Sequence, residues 1–204
     1  MQQQEILFRK TTFSLLSRAE SLKQTWDTYQ SATLALLSTL DNLHRQQCNE
    51  HRLDQYQVDG QRLLYKQTQR FDKCMVQLAT RLDQWKTVVQ DWQQLAKDAQ
   101  HNANKAMSFI NNNNKAVPLS SHSLIQVTAV SPTQAYEWIS QLAYLYHRQY
   151  HCKRMLFIAI PSSDLSSILE QWSTEAFIQH HPVTRCISDR LQLYKHVKKT
   201  IESI

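Results

Sequence analysis

Two clusters of histidine and cysteine are the side chains of this chain whose types and spacing could bind a metal. Each cluster offers three groups close to helical spacing, and neither contains the paired CxxC motif that strengthens a zinc assignment. Nine histidines in 204 residues produce such clusters readily by chance. We therefore predict no metal site and no cofactor, while zinc stays open for two sets: His44, Cys48 and His51, and His147, His151 and Cys152.

No catalytic motif accompanies these clusters. The sequence contains one glycine, no glycine-rich phosphate loop, no GxSxG and no HExxH. Its acidic residues are scattered among basic ones at helical spacing, which is typical of solvated helix faces. The sequence therefore predicts no catalytic residues and a protein that is not an enzyme.

The composition favours an all-α fold. One glycine and four prolines are too few turn residues for a sandwich, a barrel or repeated βα units. A net charge of +6 leaves nucleic acid, ribosomes and acidic protein surfaces open as partners. Four widely spaced cysteines without CxxC, no signal peptide and no apolar run of membrane-spanning length predict an intracellular protein with reduced thiols.

Two long stretches repeat apolar residues every three or four positions. They predict a first helix from about Glu5 to Gln47 and a second from about 61 to 110, connected at 48–60. A heptad seam needs an apolar partner along its whole length, so residues 1–114 should form a long, coiled-coil-like antiparallel helical hairpin. Its predicted seam residues are Leu15, Leu22, Trp26, Tyr29, Leu36, Leu40, Phe71, Leu78, Leu82, Trp85, Val89 and Trp92.

The rest of the chain divides into a linker and a C-terminal helical region. Small and polar residues predict a linker over 115–130, in which the β-branched run 124–130 could be an extended strand or an ordered crossover. Residues 131–204 predict about three helices. The second of these should be short, capped by Ser162 or Ser163 and ending near Trp172, and the last should run from about 182 to 203.

The first helix of this region has strong boundary signals. Ser131 suits the N-cap, Pro132 the first helical position, and Gln134 completes a capping box with Ser131. Pro161 ends the helix, which therefore extends to about Ile160.

This helix carries more apolar surface than one hairpin groove covers. Its apolar residues form two adjacent stripes along the helix. Lys153 lies between these stripes, where its stem must snorkel or its charge must find a carboxylate. No acidic residue occurs from Trp138 to Ser163. The aromatic and basic residues of this helix could form a face that docks a partner protein or RNA phosphates. Alternatively, the aromatic residues belong to the core and the arginines are solvated. The candidate partner-binding residues are Trp138, Tyr146, Arg148, Tyr150, Lys153 and Arg154.

Several short motifs resemble those of the AIRIM family of ribosome maturation factors. The motifs are Ala129-Val-Ser-Pro132, Glu137-Trp138-Ile139, Tyr146-His-Arg148-Gln-Tyr150 and Lys153-Arg154-Met-Leu156, together with Trp26 and the run from Leu36 to Leu43 upstream. The C-terminal pattern is similar, more weakly, to the cyclin-dependent-kinase-interacting protein through Tyr136-Glu137, Leu145-Tyr146-His-Arg148 and Lys153-Arg154. The resemblance covers roughly residues 20 to 160 and departs most after Pro161.

The resemblance implies a non-enzymatic adaptor for a AAA ATPase of the Afg/SPATA class. The adaptor would form a heterodimer with a small helical subunit like the kinase-interacting protein, dock on the ATPase and help to recruit late cytoplasmic precursors of the large ribosomal subunit, without a membrane. It would be cytoplasmic, with a nuclear location left open. Two alternatives fit the residues: a coiled-coil tether of another complex, and an RNA-binding module that uses Arg148, Lys153, Arg154 and the final lysines.

Overall fold

The computed structural model describes residues 2–48, 60–112 and 130–202, and these ranges are almost entirely helical. They contain five α-helices: α1 (Gln2–Cys48), α2 (Gly60–Asn112), α3 (Pro132–Ala159), α4 (Leu165–Ser173) and α5 (Pro182–Glu202). A 3₁₀ turn, Ile160–Ser162, lies between α3 and α4. No strand occurs within these ranges, so the all-α prediction is confirmed. Of the run 124–130 that could be extended, only Val130 is described; it is buried and belongs to no strand, and 124–129 lie outside the described residues.

The chain forms two compact units. The first consists of Met1–Gln24, Val89–His147 and His180–Ile204, and the second of Thr25–Val88 and Arg148–Gln179. Each of α1, α2 and α3 therefore contributes a segment to both units. The predicted segments 1–114, 115–130 and 131–204 follow chain order and stay a prediction. Among the helices of the described ranges, none is long and apolar enough to span a membrane.

In the first unit, α1 and α2 pack antiparallel. Phe8 lies 6.0 Å from Phe109, measured between ring centroids, and the Asn102 amide donates to the Thr12 hydroxyl at 3.1 Å. Residue numbers rise along α1 as they fall along α2, as a hairpin requires. Two further helices pack onto this pair through stacked rings, α3 by Trp92–Tyr146 at 4.8 Å and α5 by Phe13–Tyr194 at 4.2 Å.

In the second unit, α1 and α2 also pack antiparallel. The rings of Trp26 and Trp85 are 5.0 Å apart, and the Arg81 guanidinium lies 5.8 Å from the centre of the Tyr29 ring. The short helix α4 packs on this pair through Trp172, whose ring lies 5.9 Å from Trp85. All three tryptophans are fully buried, so aromatic packing forms the centre of this unit.

The predicted hairpin seam follows this packing closely. Eight of its residues are buried: Leu15, Trp26, Leu40, Leu78, Leu82, Trp85, Val89 and Trp92. The other four, Leu22, Tyr29, Leu36 and Phe71, are half-buried. Leu16, Leu37 and Leu95 are also buried although they lie beside the predicted seam, because further helices pack on α1 and α2 within the units.

The structure confirms the predicted N-cap of α3 and contradicts the predicted N-cap of α4. The Ser131 hydroxyl accepts from the Gln134 backbone N–H at 3.1 Å, which confirms Ser131 as the cap of α3. The cap of α4 is Asp164 and not Ser162 or Ser163. The Asp164 carboxylate accepts from the Ser167 N–H at 3.0 Å, whereas Ser162 is part of the preceding 3₁₀ turn.

Candidate functional site

The buried face of α3 passes between the two stripes seen in its sequence. In the first unit it consists mainly of Ala135, Ile139, Leu142 and Tyr146, and in the second of Gln149, Lys153 and Ile160, with Leu156 half-buried among them. The positions follow each other at steps of four and three residues, which is a heptad seam. Its two polar members, Gln149 and Lys153, both lie in the second unit.

Lys153 is completely buried, and its ammonium group has three acceptors. It donates to the side-chain carbonyl of Gln30, to the backbone carbonyl of Trp172 at 3.1 Å, and forms an ion pair with the Glu175 carboxylate at 3.3 Å. A lysine ammonium has three N–H groups, so all its donors have an acceptor. Of the two outcomes left open for Lys153, a snorkelling stem or a carboxylate partner, the structure shows the second, and the carboxylate belongs to Glu175 in the turn after α4.

The acceptors are connected to one another by further hydrogen bonds. The Trp26 indole N–H donates to Glu175 at 2.7 Å, and the Gln30 amide donates to the Trp172 carbonyl at 3.0 Å. The Trp172 indole N–H donates to the Thr33 hydroxyl at 3.1 Å, and that hydroxyl donates to the Gln30 backbone carbonyl at 3.0 Å. We call these six residues the lysine cluster: Trp26, Gln30, Thr33, Lys153, Trp172 and Glu175.

Aromatic rings complete the enclosure of the ammonium. Its nitrogen lies 5.0 Å from the centre of the Trp85 ring and 5.1 Å from that of Trp172, within the range of cation–π attraction. Burial lowers the pKa of Lys153 to about 8, because water no longer solvates the charge; the negative charge of Glu175 opposes this effect in part. Near neutral pH the lysine is therefore still mostly protonated and paired.

The cluster joins three helices and the turn after α4. Lys153 belongs to α3, Gln30 to α1 and Trp172 to α4, while Glu175 lies in the turn. The turn has a second contact with α3, since the Phe177 backbone N–H donates to the Gln149 amide oxygen at 3.4 Å. An enclosed ammonium with every donor satisfied has no position for a substrate. The cluster can stabilise and orient these elements, and we assign it no chemistry on a ligand.

The other candidate residues occupy different environments. In the first unit, Trp138 is half-buried, and Tyr146 is buried against Trp92. In the second unit, Arg148 is exposed with its guanidinium 4.1 Å from the centre of the Phe177 ring, Tyr150 is half-buried beside His151, and Arg154 is exposed. Lys153 points inward, away from any partner at the surface. The role of these residues in binding stays a prediction.

The metal clusters can be followed only in part. His51 and the side chain of Cys48 lie outside the described residues. Over the described side chains, no group of three histidine, cysteine, aspartate or glutamate residues could hold a metal ion, and His147, His151 and Cys152 are not such a group. Cys152 is an exposed free thiol.

Sequence reasoning missed most of the lysine cluster. Thr33 occupies a heptad position of the first helix, and Trp172 marks the end of α4, but neither pattern indicates a polar partner. Gln30 and Glu175 carry no local signal. The signal that could have revealed the cluster is the continuation of the α3 seam through Gln149 and Lys153, because a lysine at a core position needs acceptors.

A comparison with family models adds an independent finding. The model of a family described as CA109-like, ribosome biogenesis protein C1orf109-like, matches residues 8–195, which is most of the chain. The chain belongs to this family. It is the family that the AIRIM resemblance indicates, and the match covers the whole lysine cluster and ends within α5. No curated protein matches the chain. The similarity to the kinase-interacting protein stays a prediction.

The family match establishes a coarse function. Membership of a ribosome biogenesis family makes this chain a ribosome biogenesis protein.

Proposed function

We propose that this ribosome biogenesis protein is a non-enzymatic adaptor subunit of a AAA ATPase assembly that matures the large ribosomal subunit. In this role it connects an ATPase of the Afg/SPATA class to precursor particles in the cytoplasm. It forms a heterodimer with a second small helical subunit, similar to the cyclin-dependent-kinase-interacting protein. It reaches the precursor through these partners rather than by binding ribosomal RNA on its own.

The observation that carries the proposal is the family match over residues 8–195, combined with the motifs that resemble AIRIM. The chemistry of the second unit supports it. Its most unusual buried group, Lys153, is fully occupied by protein acceptors, as expected of a structural element in an interaction protein. Both units also expose large apolar side chains, including Tyr65 and Met155 in the second, and apolar surface is what an adaptor offers to its partners.

Affinity purification of the tagged full-length chain under gentle lysis tests the proposal. We expect a AAA ATPase and a second small helical protein to co-purify, together with precursors of the large subunit. Ribonuclease treatment should remove the precursors and leave the two protein partners bound, because these partners contact the chain directly and not through RNA. Recovery of the chain as a lone monomer, or with membrane-tethering proteins instead, would refute the proposal.

Depletion of the protein tests the cellular role. We expect late cytoplasmic precursors of the large subunit to accumulate with a shuttling assembly factor still bound, and re-expression of the chain to release it. Normal maturation after complete depletion would contradict the proposed role even if the ATPase co-purifies.

A further inference from the structure

The outward face of α3 in the second unit is apolar at its centre. Met155 and Ile158 expose 64% and 59% of their surface, and they lie three residues apart, so they are neighbours on one side of the helix. They lie on the side of α3 away from Lys153 and Ile160, which are buried. Two large aliphatic side chains next to each other on an exposed helix face form a short ridge that a partner could cover.

The surroundings of this ridge are basic. Arg154 precedes Met155 and is exposed, and Arg148 and His151 lie on the exposed part of the same segment. Neither Asp nor Glu occurs in α3 from Trp138 onward or in the turn up to Ser163. Lys153 adds no positive charge to this surface, because its ammonium is buried and paired with Glu175. The face is therefore an aliphatic ridge with positive charge beside it.

We propose that this face, defined by Arg154, Met155 and Ile158, docks an acidic amphipathic helix of a partner protein. The proposal rests on the proposed adaptor function and adds to it the chemistry of one partner. Apolar residues of the partner helix, spaced three and four apart, would cover Met155 and Ile158. Its flanking Glu or Asp residues would lie near Arg154, and such charge complementarity favours this partner over a basic one.

Other occupants fit this face less well. A second copy of the chain would bring the same positive charges against each other in a symmetric contact. A membrane surface needs a long apolar face, and this ridge has two aliphatic side chains. Single-stranded RNA stacks its bases on aromatic rings, whereas the centre of this face is aliphatic. An acidic amphipathic helix can cover the aliphatic ridge with its apolar residues and pair its carboxylates with the positive charge beside the ridge.

Site-specific photo-crosslinking tests the proposal in cells. The full-length chain carries a photoreactive benzophenone amino acid in place of Met155, and cross-linked peptides are identified by mass spectrometry. We expect a peptide from another protein in which apolar residues recur at helical spacing and are flanked by Glu or Asp. The matched control places the same amino acid at Lys86, an exposed position of α2 in the same unit, which should not give this product.

Charge reversal makes the test quantitative. Arg154→Glu should lower the cross-linking yield from position 155 by about tenfold, because it exchanges an attractive ion pair for a repulsive one. Changing the facing acidic residue of the identified peptide to Lys should restore the yield. Lys86→Glu serves as the matched surface control and should leave the yield unchanged.

The outcomes separate this inference from the proposed function. Cross-links to RNA, to lipid, to a second copy of the chain or to a peptide without acidic residues would overturn the inference, as would a yield no higher than at position 86. Co-purification of the AAA ATPase is scored in the same lysates. If the ATPase is present and the cross-link is absent, the adaptor function stands and the docking site is wrong.

Discussion

Removing the ammonium of Lys153 should destabilise the protein much more than removing a neighbouring surface charge. Lys153→Met keeps an apolar stem of similar length but removes the charge and three hydrogen-bond donors. The side-chain carbonyl of Gln30 then loses the donor that Lys153 provides, and the partly buried Glu175 carboxylate loses its cation. Breaking a buried ion pair from one side typically costs about 3–5 kcal/mol. Because Glu175 keeps its bond from Trp26, we expect about 3 kcal/mol.

Lys153→Ala should cost more than Lys153→Met. The truncation also removes three buried methylene groups, each worth about 0.8 kcal/mol, so its total should be about 5 kcal/mol. For a chain of this size a loss of 3 kcal/mol corresponds to a fall of about 6–12 °C in melting temperature. Urea and thermal unfolding followed by circular dichroism measure both variants. Tryptophan fluorescence reports on the same site, since Trp85 and Trp172 flank the ammonium.

Two further variants decide whether the cluster is the cause. Arg154→Met changes the adjacent but exposed cation, and it should alter the free energy of unfolding by no more than about 0.5 kcal/mol. Glu175→Gln combined with Lys153→Met removes the stranded carboxylate. The loss in free energy of unfolding of the double variant should therefore be about 1–3 kcal/mol smaller than the losses of the two single variants added together. A Lys153→Met protein as stable as the wild type would refute the reasoning, because the seam would then be stabilised by its apolar contacts alone.

Three other predictions follow from the same structure. Because burial lowers the pKa of Lys153 from 10.5 to about 8, the unfolded chain binds more protons than the folded one between these pH values. Deprotonation removes the desolvation cost of the charge and leaves an amine that can still donate to Gln30 and Trp172, which methionine cannot. The free energy of unfolding should therefore increase by about 3 kcal/mol from this residue as the pH rises from 8 to 10.5, and urea titrations of Lys153→Met should lack that increase. Thr12→Val deprives the buried Asn102 amide of its hydroxyl acceptor and should cost about 1–3 kcal/mol in urea unfolding, whereas Asn102→Leu in the same background should recover part of the loss. Ser131→Ala removes the cap of α3 and should cost about 1 kcal/mol in thermal unfolding, while Ser131→Asp should retain most of that stability.

The hairpin could be predicted because its signal is local and repeated. Each heptad of α1 and α2 places large apolar residues at the same angular position, as Leu40 and Leu78 illustrate, and both are fully buried. The capping of α3 is equally local, since Ser131 and Gln134 are three residues apart. In both cases the physical cause lies within a few residues of the feature. The sequence therefore contains enough information to place these elements.

The partners of the polar core positions of α3 could not be predicted from its hydrophobic residues. The two apolar stripes place Lys153 between them, but they do not show that Gln149 and Lys153 are themselves buried. The sequence leaves a snorkelling stem and a carboxylate partner both open for Lys153. The structure shows the second, and the sequence could not identify Glu175, which follows another helix in the chain. A polar core position depends on distant acceptors, and only the folded arrangement brings these together.

The lysine cluster gives α3 a single register. An apolar heptad seam tolerates a slip of seven residues, because leucines and alanines then meet similar surfaces. A slip of one heptad would move Lys153 about 10 Å along the helix axis, away from Gln30 and Glu175, and leave a buried cation without acceptors. The polar positions therefore select one arrangement among several apolar ones. Because the inward direction of Lys153 sets the rotation of α3, it also determines that Arg154, Met155 and Ile158 face outward, where the proposed partner helix would bind.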